Sequence, residues 1–361
     1  MFSKKPIIIY LLVIVIFSLS VQLAEKYSKK SVLGNYASVD EFVLSTIDKC
    51  PPKLGPCLRA SAEILLNNLS HEEVISVLER HIKEPEVFNS CHQITHEFGR
   101  IEYERTKDIR KVFNIGSYIC YEGFFHGAAE AYFLDKHISI RKIDNKFKSS
   151  IPSVCGMISD HANKDFYQSC LHGLGHALMY VTENEVPQAL MLCDVPKSSL
   201  EKEGCYSGVF MENKQDEFST DHPSRYIHPD DPAYPCTILE AKYRNACYGY
   251  QAVRLYSRFG HNFKEAVNFC EKAPLENRVR CIRQVSGHMI GYPRDEKSFS
   301  KDCGIIADSR LRSECIIGVA KRFIQRDLGD LTSALRFCSS LESSEKELCI
   351  STAEDASRKW N

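Results

Sequence analysis

The chain has 361 residues, with 46 lysines and arginines against 47 aspartates and glutamates and a formal net charge of −1. That balance lacks the basic footprint of a nucleic-acid binder, while 43% apolar and 26% charged residues are those of a folded chain. Sixteen cysteines, none in a CxxC or CxxCH arrangement, exclude thioredoxin-like pairs, treble-clef zinc sites and covalently attached haem, and point instead to disulfides formed in an oxidising compartment.

Lys4 and Lys5 precede an unbroken apolar run from Ile7 to Phe17 that softens through Ser18 to Val21. About 15 apolar residues is short for a bilayer span and long for the core of a signal peptide. Residues 1–24 therefore read as a signal peptide or a signal anchor, with the lysines keeping that end cytoplasmic and the remainder outside. The expected location is extracytoplasmic, membrane-attached if the segment is retained. Residues 25–38 are polar and read as a tether.

Residues 39–213 read as N-terminal helical repeats. Asp40 to Cys50 is helical in pattern, Pro51-Pro52 breaks it, and Cys57 opens a second helix toward Leu69. Val74, Ile75, Val77, Leu78 and Ile82 recur at helical spacing over 71–83. Cys91, Cys120, Cys170 and Cys205 each lead a further helix. Residues 134–150 and 214–235 break the pattern with polar, charged and proline-rich stretches and read as inserted loops. Residues 236–361 are a plainer set of C-terminal repeats.

In that last third the cysteines keep a beat. Cys236, Cys270, Cys303 and Cys338 step by 34, 33 and 35 residues, and Cys247, Cys281, Cys315 and Cys349 step by 34 throughout. A fixed period of this size marks a stacked repeat. The 11- or 12-residue gap within each pair suits the end of one helix, a turn and the start of the next. Local pairing then gives Cys50–Cys57, Cys155–Cys170, Cys193–Cys205, Cys236–Cys247, Cys270–Cys281, Cys303–Cys315 and Cys338–Cys349. It leaves Cys91 and Cys120 to pair across two units. Ala189, Ala266 and Ala334 precede their cysteines by four residues, on the same helix face, where a neighbour can approach closely. The expected fold is all-α, a solenoid of about eight disulfide-stapled hairpins behind an N-terminal hydrophobic segment. In its two-helix unit and alanine-before-turn pattern it resembles the tetratricopeptide and Sel-like repeat class. What that resemblance implies is a curved stack whose concave face binds a protein partner, and no particular chemistry.

Histidine and glutamate crowd into the early cysteine-led helices. His92/His96, His172/His176 and the run Glu122/His126/Glu130 are all spaced i and i+4, so each set lies on one helix face. Counted from the leading cysteine, Glu122 aligns with His172 and His126 with His176, while His92/His96 is displaced by one position. Such a set can ligate one transition-metal ion, and mixed imidazole and carboxylate donors suit zinc, iron or copper. If the ion is catalytic, Glu122 or Glu130 would be its base. Packed histidines in a glycine-rich seam are the plainer reading, and with them goes the alternative of a non-enzymatic binding scaffold. Met211, Glu212 and Asn213 read first as a helix end and second as an extension of the lined groove. His222 and His228, in the inserted loop, read first as solvated and second as a lid ligand, and His288 is one position off register with no partner nearby. No HExxH, GxSxG, Walker-type loop or dinucleotide fingerprint occurs, so neither a zincin nor a nucleotide cofactor is expected.

Overall fold

The computed structural model describes residues 36–50, 55–117, 119–120, 122–135, 143–156, 164–215, 224–292, 294–358 and 360. The expected signal or anchor segment and nearly all of the tether lie outside them. The described residues form seventeen helices and no strand. In chain order these are α1 (Val39–Asp48), α2 (Gly55–Asn68), α3 (His71–His81), α4 (Pro85–Thr106), α5 (Ile109–Ile115), α6 (Gly123–Asp135), α7 (Asn145–Gly156), α8 (Lys164–Val181) and α9 (Val186–Cys193). They continue with α10 (Ser199–Gln215), α11 (Ala241–Arg258), α12 (Phe263–Lys272), α13 (Leu275–Met289), α14 (Ser298–Gly304), α15 (Ser309–Arg326), α16 (Thr332–Cys338) and α17 (Ser343–Ser357).

Local chemistry accounts for the boundaries. Ser70 and Glu73 form a reciprocal capping box at the start of α3, satisfying two N–H groups that the helix itself leaves unpaired. Asn262 and Asp308 accept backbone N–H bonds at the starts of α12 and α15. In α12 the buried residues are Phe263, Ala266, Val267 and Cys270, the i, i+3, i+4, i+7 stripe of a helix with one apolar face. Asp144 accepts from Phe147 N at 2.8 Å, and Phe147 and Ile151 are buried. The second half of the loop expected over 134–150 is accordingly the start of α7. Two apolar anchors and a cap outweigh the lysines around them.

The longer helices α2, α4, α6, α8, α10, α11, α13, α15 and α17 lie in sequence, each packed on the next, and the shorter ones flank them. One hydrophobic core runs along the whole row. Eight disulfides bind it, with Cα–Cα distances from 5.3 to 5.7 Å: Cys50–Cys57, Cys91–Cys120, Cys155–Cys170, Cys193–Cys205, Cys236–Cys247, Cys270–Cys281, Cys303–Cys315 and Cys338–Cys349. These are the pairs that spacing implied. Cys155 and Cys170 stand 15 apart in sequence, off the 11- or 12-residue beat, yet they close the same kind of link. Cys155 is buried in the last turn of α7 and Cys170 is buried inside α8, so the longer gap is taken up between the two helices. The helices do not open at their cysteines, however. Cys91, Cys170, Cys205, Cys247, Cys281, Cys315 and Cys349 lie well inside their helices. A short helix doubling back on a long one meets it at its second turn, and the staple joins the pair there. Ala189, Ala266 and Ala334 are fully buried.

The row also returns on itself. Gln325, in α15, donates to Glu122 beside the start of α6 at 3.3 Å. Lys83 lies 3.8 Å from the Asp327 carboxylate. Leu328 and Trp360 share a cavity of about 430 Å³ with His71, Ile75 and Glu79 of α3. The last helices thus meet the first, which the resemblance to open helical stacks did not imply.

Candidate metal centre

Four consecutive long helices, α4, α6, α8 and α10, carry the cluster, and glycine sets how near they come. A Cβ on Gly127 of α6 would fall 1.8 Å from the His96 carbonyl oxygen of α4, and one on Gly208 of α10 would fall 2.0 Å from the His172 carbonyl oxygen of α8. Backbone therefore rests on backbone at these seams. Side chains that would be separated by an ordinary interhelical gap are brought ring to ring.

His126 is the hub. Its ring centroid is 5.3 Å from His92, 6.1 Å from His96, 4.5 Å from His172 and 5.7 Å from His176. His96 and His176 are 5.7 Å apart across the cluster. Ligand atoms of His126, His172 and His176 all lie within 4.8 Å of one another. An ion at about 2.0–2.1 Å from each nitrogen needs them roughly 3.3 Å apart, a closure within reach of small side-chain rotations. The buried triad can hold a metal ion. The one-position displacement of His92/His96 does not remove that pair from the cluster, because the close seam at Gly127 brings α4 to α6.

Hydrogen bonds define the ring tautomers. His92 donates through Nδ1 to the Cys120 carbonyl at 2.9 Å, and His176 donates through Nδ1 to Glu212 at 2.5 Å. A carbonyl and a carboxylate only accept, so Nδ1 carries a proton in each ring. Both Nε2 atoms are buried with no hydrogen-bond partner among the described residues, and so are both nitrogens of His126. Burial, reinforced by the neighbouring rings and cations, holds His92 down to about 4 and His96, His126 and His172 well below the ordinary imidazole range. These rings are neutral at neutral pH, the form that ligates metal.

The carboxylates take other roles. Both oxygens of Glu130 are 2.6 Å from Arg100, which also holds Glu97 at 2.5 Å. Burial pushes the Glu130 carboxyl up, with Arg100, one of whose nitrogens meets both its oxygens, pulling the other way. Glu130 stands 3.6 Å from His96 Nδ1, so it borders the cluster as part of a fixed ion pair. Glu122 precedes α6 with a positive φ of 66°, and its carboxylate meets Ser169 and Gln325. Both expected carboxylate donors are engaged elsewhere. The carboxylate that touches an imidazole most closely is Glu212, which spacing had placed at a helix end; its i+7 position after Cys205 was the available signal. Beside it Met211 puts its sulfur 3.2 Å from His172 Nε2. Arg100, four residues beyond His96, was not singled out by any motif.

His288 is half-buried against Tyr256 and Tyr292, outside the cluster. His228 is exposed beside Tyr234, and His222 lies outside the described residues. Among those residues no helix is long and apolar enough to cross a membrane. The eight disulfides point to an oxidising, extracytoplasmic setting. Comparison with protein-family models, curated proteins and solved structures finds no match to this chain.

Proposed function

We propose that this is an exported, disulfide-stapled helical solenoid of about eight hairpins that binds a transition-metal ion through His126, His172 and His176, with His92 and His96 completing the imidazole cage. The observation that carries the reading is the set of buried ring nitrogens on His92, His126 and His176 with no partner among the described residues. A buried polar atom left unpaired costs about 1–3 kcal/mol, and a metal ion supplies what these atoms lack. Glu212 stands to His176 as a carboxylate stands to a ligating histidine in many metal sites, fixing the tautomer and orienting the ring. With Glu122 and Glu130 engaged elsewhere, the donors are imidazole-rich, which moves the balance from iron toward zinc and copper.

The test is metal analysis of full-length protein purified without a histidine tag. One ion per chain is expected, lost when His126 and His176 are both changed to alanine while the helical signal persists. Metal-free wild-type protein in metal-supplemented growth, or full occupancy in the double variant, refutes the reading. The alternative, an extracytoplasmic scaffold with a protein partner on its concave face, draws on α11 to α17, which add no imidazole to the cluster.

A further inference from the structure

We propose that the ion is copper, held as Cu(I), and that Met211 is one of its ligands. This rests on the metal-binding reading above and narrows it to one class of ion.

Three observations lead there. First, Met211 Sδ lies 3.2 Å from Nε2 of His172, a residue of the triad with His126 and His176; the thioether only accepts, so this nitrogen donates to it and would yield that proton to an ion. Two atoms at that separation can share one ion. Second, Met211 is the sixth residue after Cys205, as His126 is after Cys120 and His176 after Cys170. Cys170 and Cys205 both lie inside their helices, so that position faces the same way in α8 and α10 and the column there reads His, Met. Third, the carboxylates around the cluster are engaged: Arg100 takes both oxygens of Glu130, Glu122 turns to Ser169 and Gln325, and Glu212 accepts from His176 Nδ1. What remains is neutral imidazole plus thioether. Thioether selects copper, above all the soft Cu(I) ion, and contributes little to zinc, whose common donors are thiolate, imidazole and carboxylate. All sixteen cysteines are held in disulfides, so thiolate does not compete for the ion.

An apolar role for Met211 is the rival. Methionine also fills irregular gaps, and Leu would serve that role equally well. The discriminating substitution is therefore Met211→Leu, which conserves volume and should leave the fold intact. Met191, 58% exposed on α9, provides the control as Met191→Leu.

The experiment measures Cu(I) and Zn(II) affinity of the tag-free full chain by chelator competition, with ascorbate holding copper reduced and the disulfides intact. X-ray absorption of the copper-loaded protein reports its scatterers. Wild type is expected to prefer Cu(I) and to show one sulfur neighbour. Loss of a direct ligand should cost at least what loss of an outer partner costs, so Met211→Leu should weaken Cu(I) binding roughly ten- to a hundredfold. It should also remove the sulfur scatterer and leave zinc affinity unchanged. Met191→Leu should change nothing. Cu(I) affinity unaffected by Met211→Leu, or copper without a sulfur neighbour, overturns the assignment while leaving the metal site standing. A wild-type protein that prefers zinc does the same. Failure to bind either ion removes the metal reading itself.

Discussion

Replacing Gly127 by alanine tests whether helix proximity builds the site. The added methyl would sit 1.8 Å from the His96 carbonyl oxygen, 2.7 Å from its carbon and 3.0 Å from the His96 Cα. All three are backbone atoms, so no side chain can rotate away. Restoring ordinary contact requires α4 and α6 to part by roughly 1.6 Å. Overpacking of this kind costs about 1–3 kcal/mol. The consequence for the site is larger, because a preorganised constellation tolerates only about 0.5 Å of error, and His96 and His126 flank the widened seam. The Cys91–Cys120 disulfide crosses the same seam and should keep the helices together. Gly127→Ala should therefore retain its helical circular dichroism, melt a few degrees lower and bind metal about tenfold more weakly or worse. Gly304→Ala is the control, since nothing lies within 4 Å of its added methyl. Wild-type metal affinity in Gly127→Ala, or equal losses in both variants, would refute the reasoning.

Removing the Glu212 carboxylate as Glu212→Ala should lower metal affinity about ten- to a hundredfold in chelator competition, with Glu212→Gln milder because its amide oxygen still accepts from His176; an unaffected Glu212→Ala denies the orienting role. Burial holds His71 and His92 down to about 4 from the ordinary 6.5, so in acid the unfolded chain takes up protons that the folded chain refuses. The stability tied to these neutral rings is complete above pH 6.5 and lost as pH falls toward 4, on the order of 3 kcal/mol for a ring such as His71. His71 packs on Phe98 and Phe124, so His71→Phe should flatten the acid limb of the metal-free melting curve, and an unchanged limb would count against it. Removing the terminal staple as Cys338→Ala/Cys349→Ala should cost about 2–4 kcal/mol, seen as faster hydrogen exchange in α16 and α17 with metal stoichiometry intact. Removing Cys91 and Cys120 instead should lose metal, because the Cys120 carbonyl anchors His92; identical metal content in the two double variants would show that the staple does not position the ring.

Much of the architecture was legible because it is written locally. Cysteine spacing carries the disulfides, since each of seven pairs closes within one helical hairpin, and even Cys91–Cys120 joins neighbours in the row. The i,i+4 histidines carry the cluster because a helix face is a property of spacing alone. What escaped depends on tertiary distance. Nothing in the pattern around His92 shows that α4 lies close enough to α6 for a one-position offset to be absorbed. The withdrawal of Glu130 requires Arg100, on a different helix, and that of Glu122 requires Ser169 and a residue of the last third of the chain, Gln325. A backbone turn with positive φ at Glu122 also takes that residue off the helix on which its spacing counted. Return of the row onto itself is the extreme case, since small repeat-to-repeat rotations accumulate over many units.

The energetics of the cage bear on its purpose. Gathering His92, His96, His126, His172 and His176 in one interior desolvates every ring, and the cost is not recovered by hydrogen bonds at the Nε2 atoms of His92 and His176 or at either nitrogen of His126. A cluster selected for packing alone would be better served by apolar side chains of similar volume, which carry no such penalty. The glycine seams and the Glu212 contact act in the opposite direction to relief: they press the rings together and fix their tautomers. Eight staples make the strain tolerable by lowering the entropy of the unfolded chain. An ion that satisfies the lone pairs converts the penalty into stabilisation, so binding free energy and folding free energy become one quantity in this part of the row. Metal should then raise the unfolding temperature of α4 to α10 most and reach α15 through its Gln325–Glu122 contact, with less effect on the other helices from α11 onward, because stabilisation falls off with distance from its source.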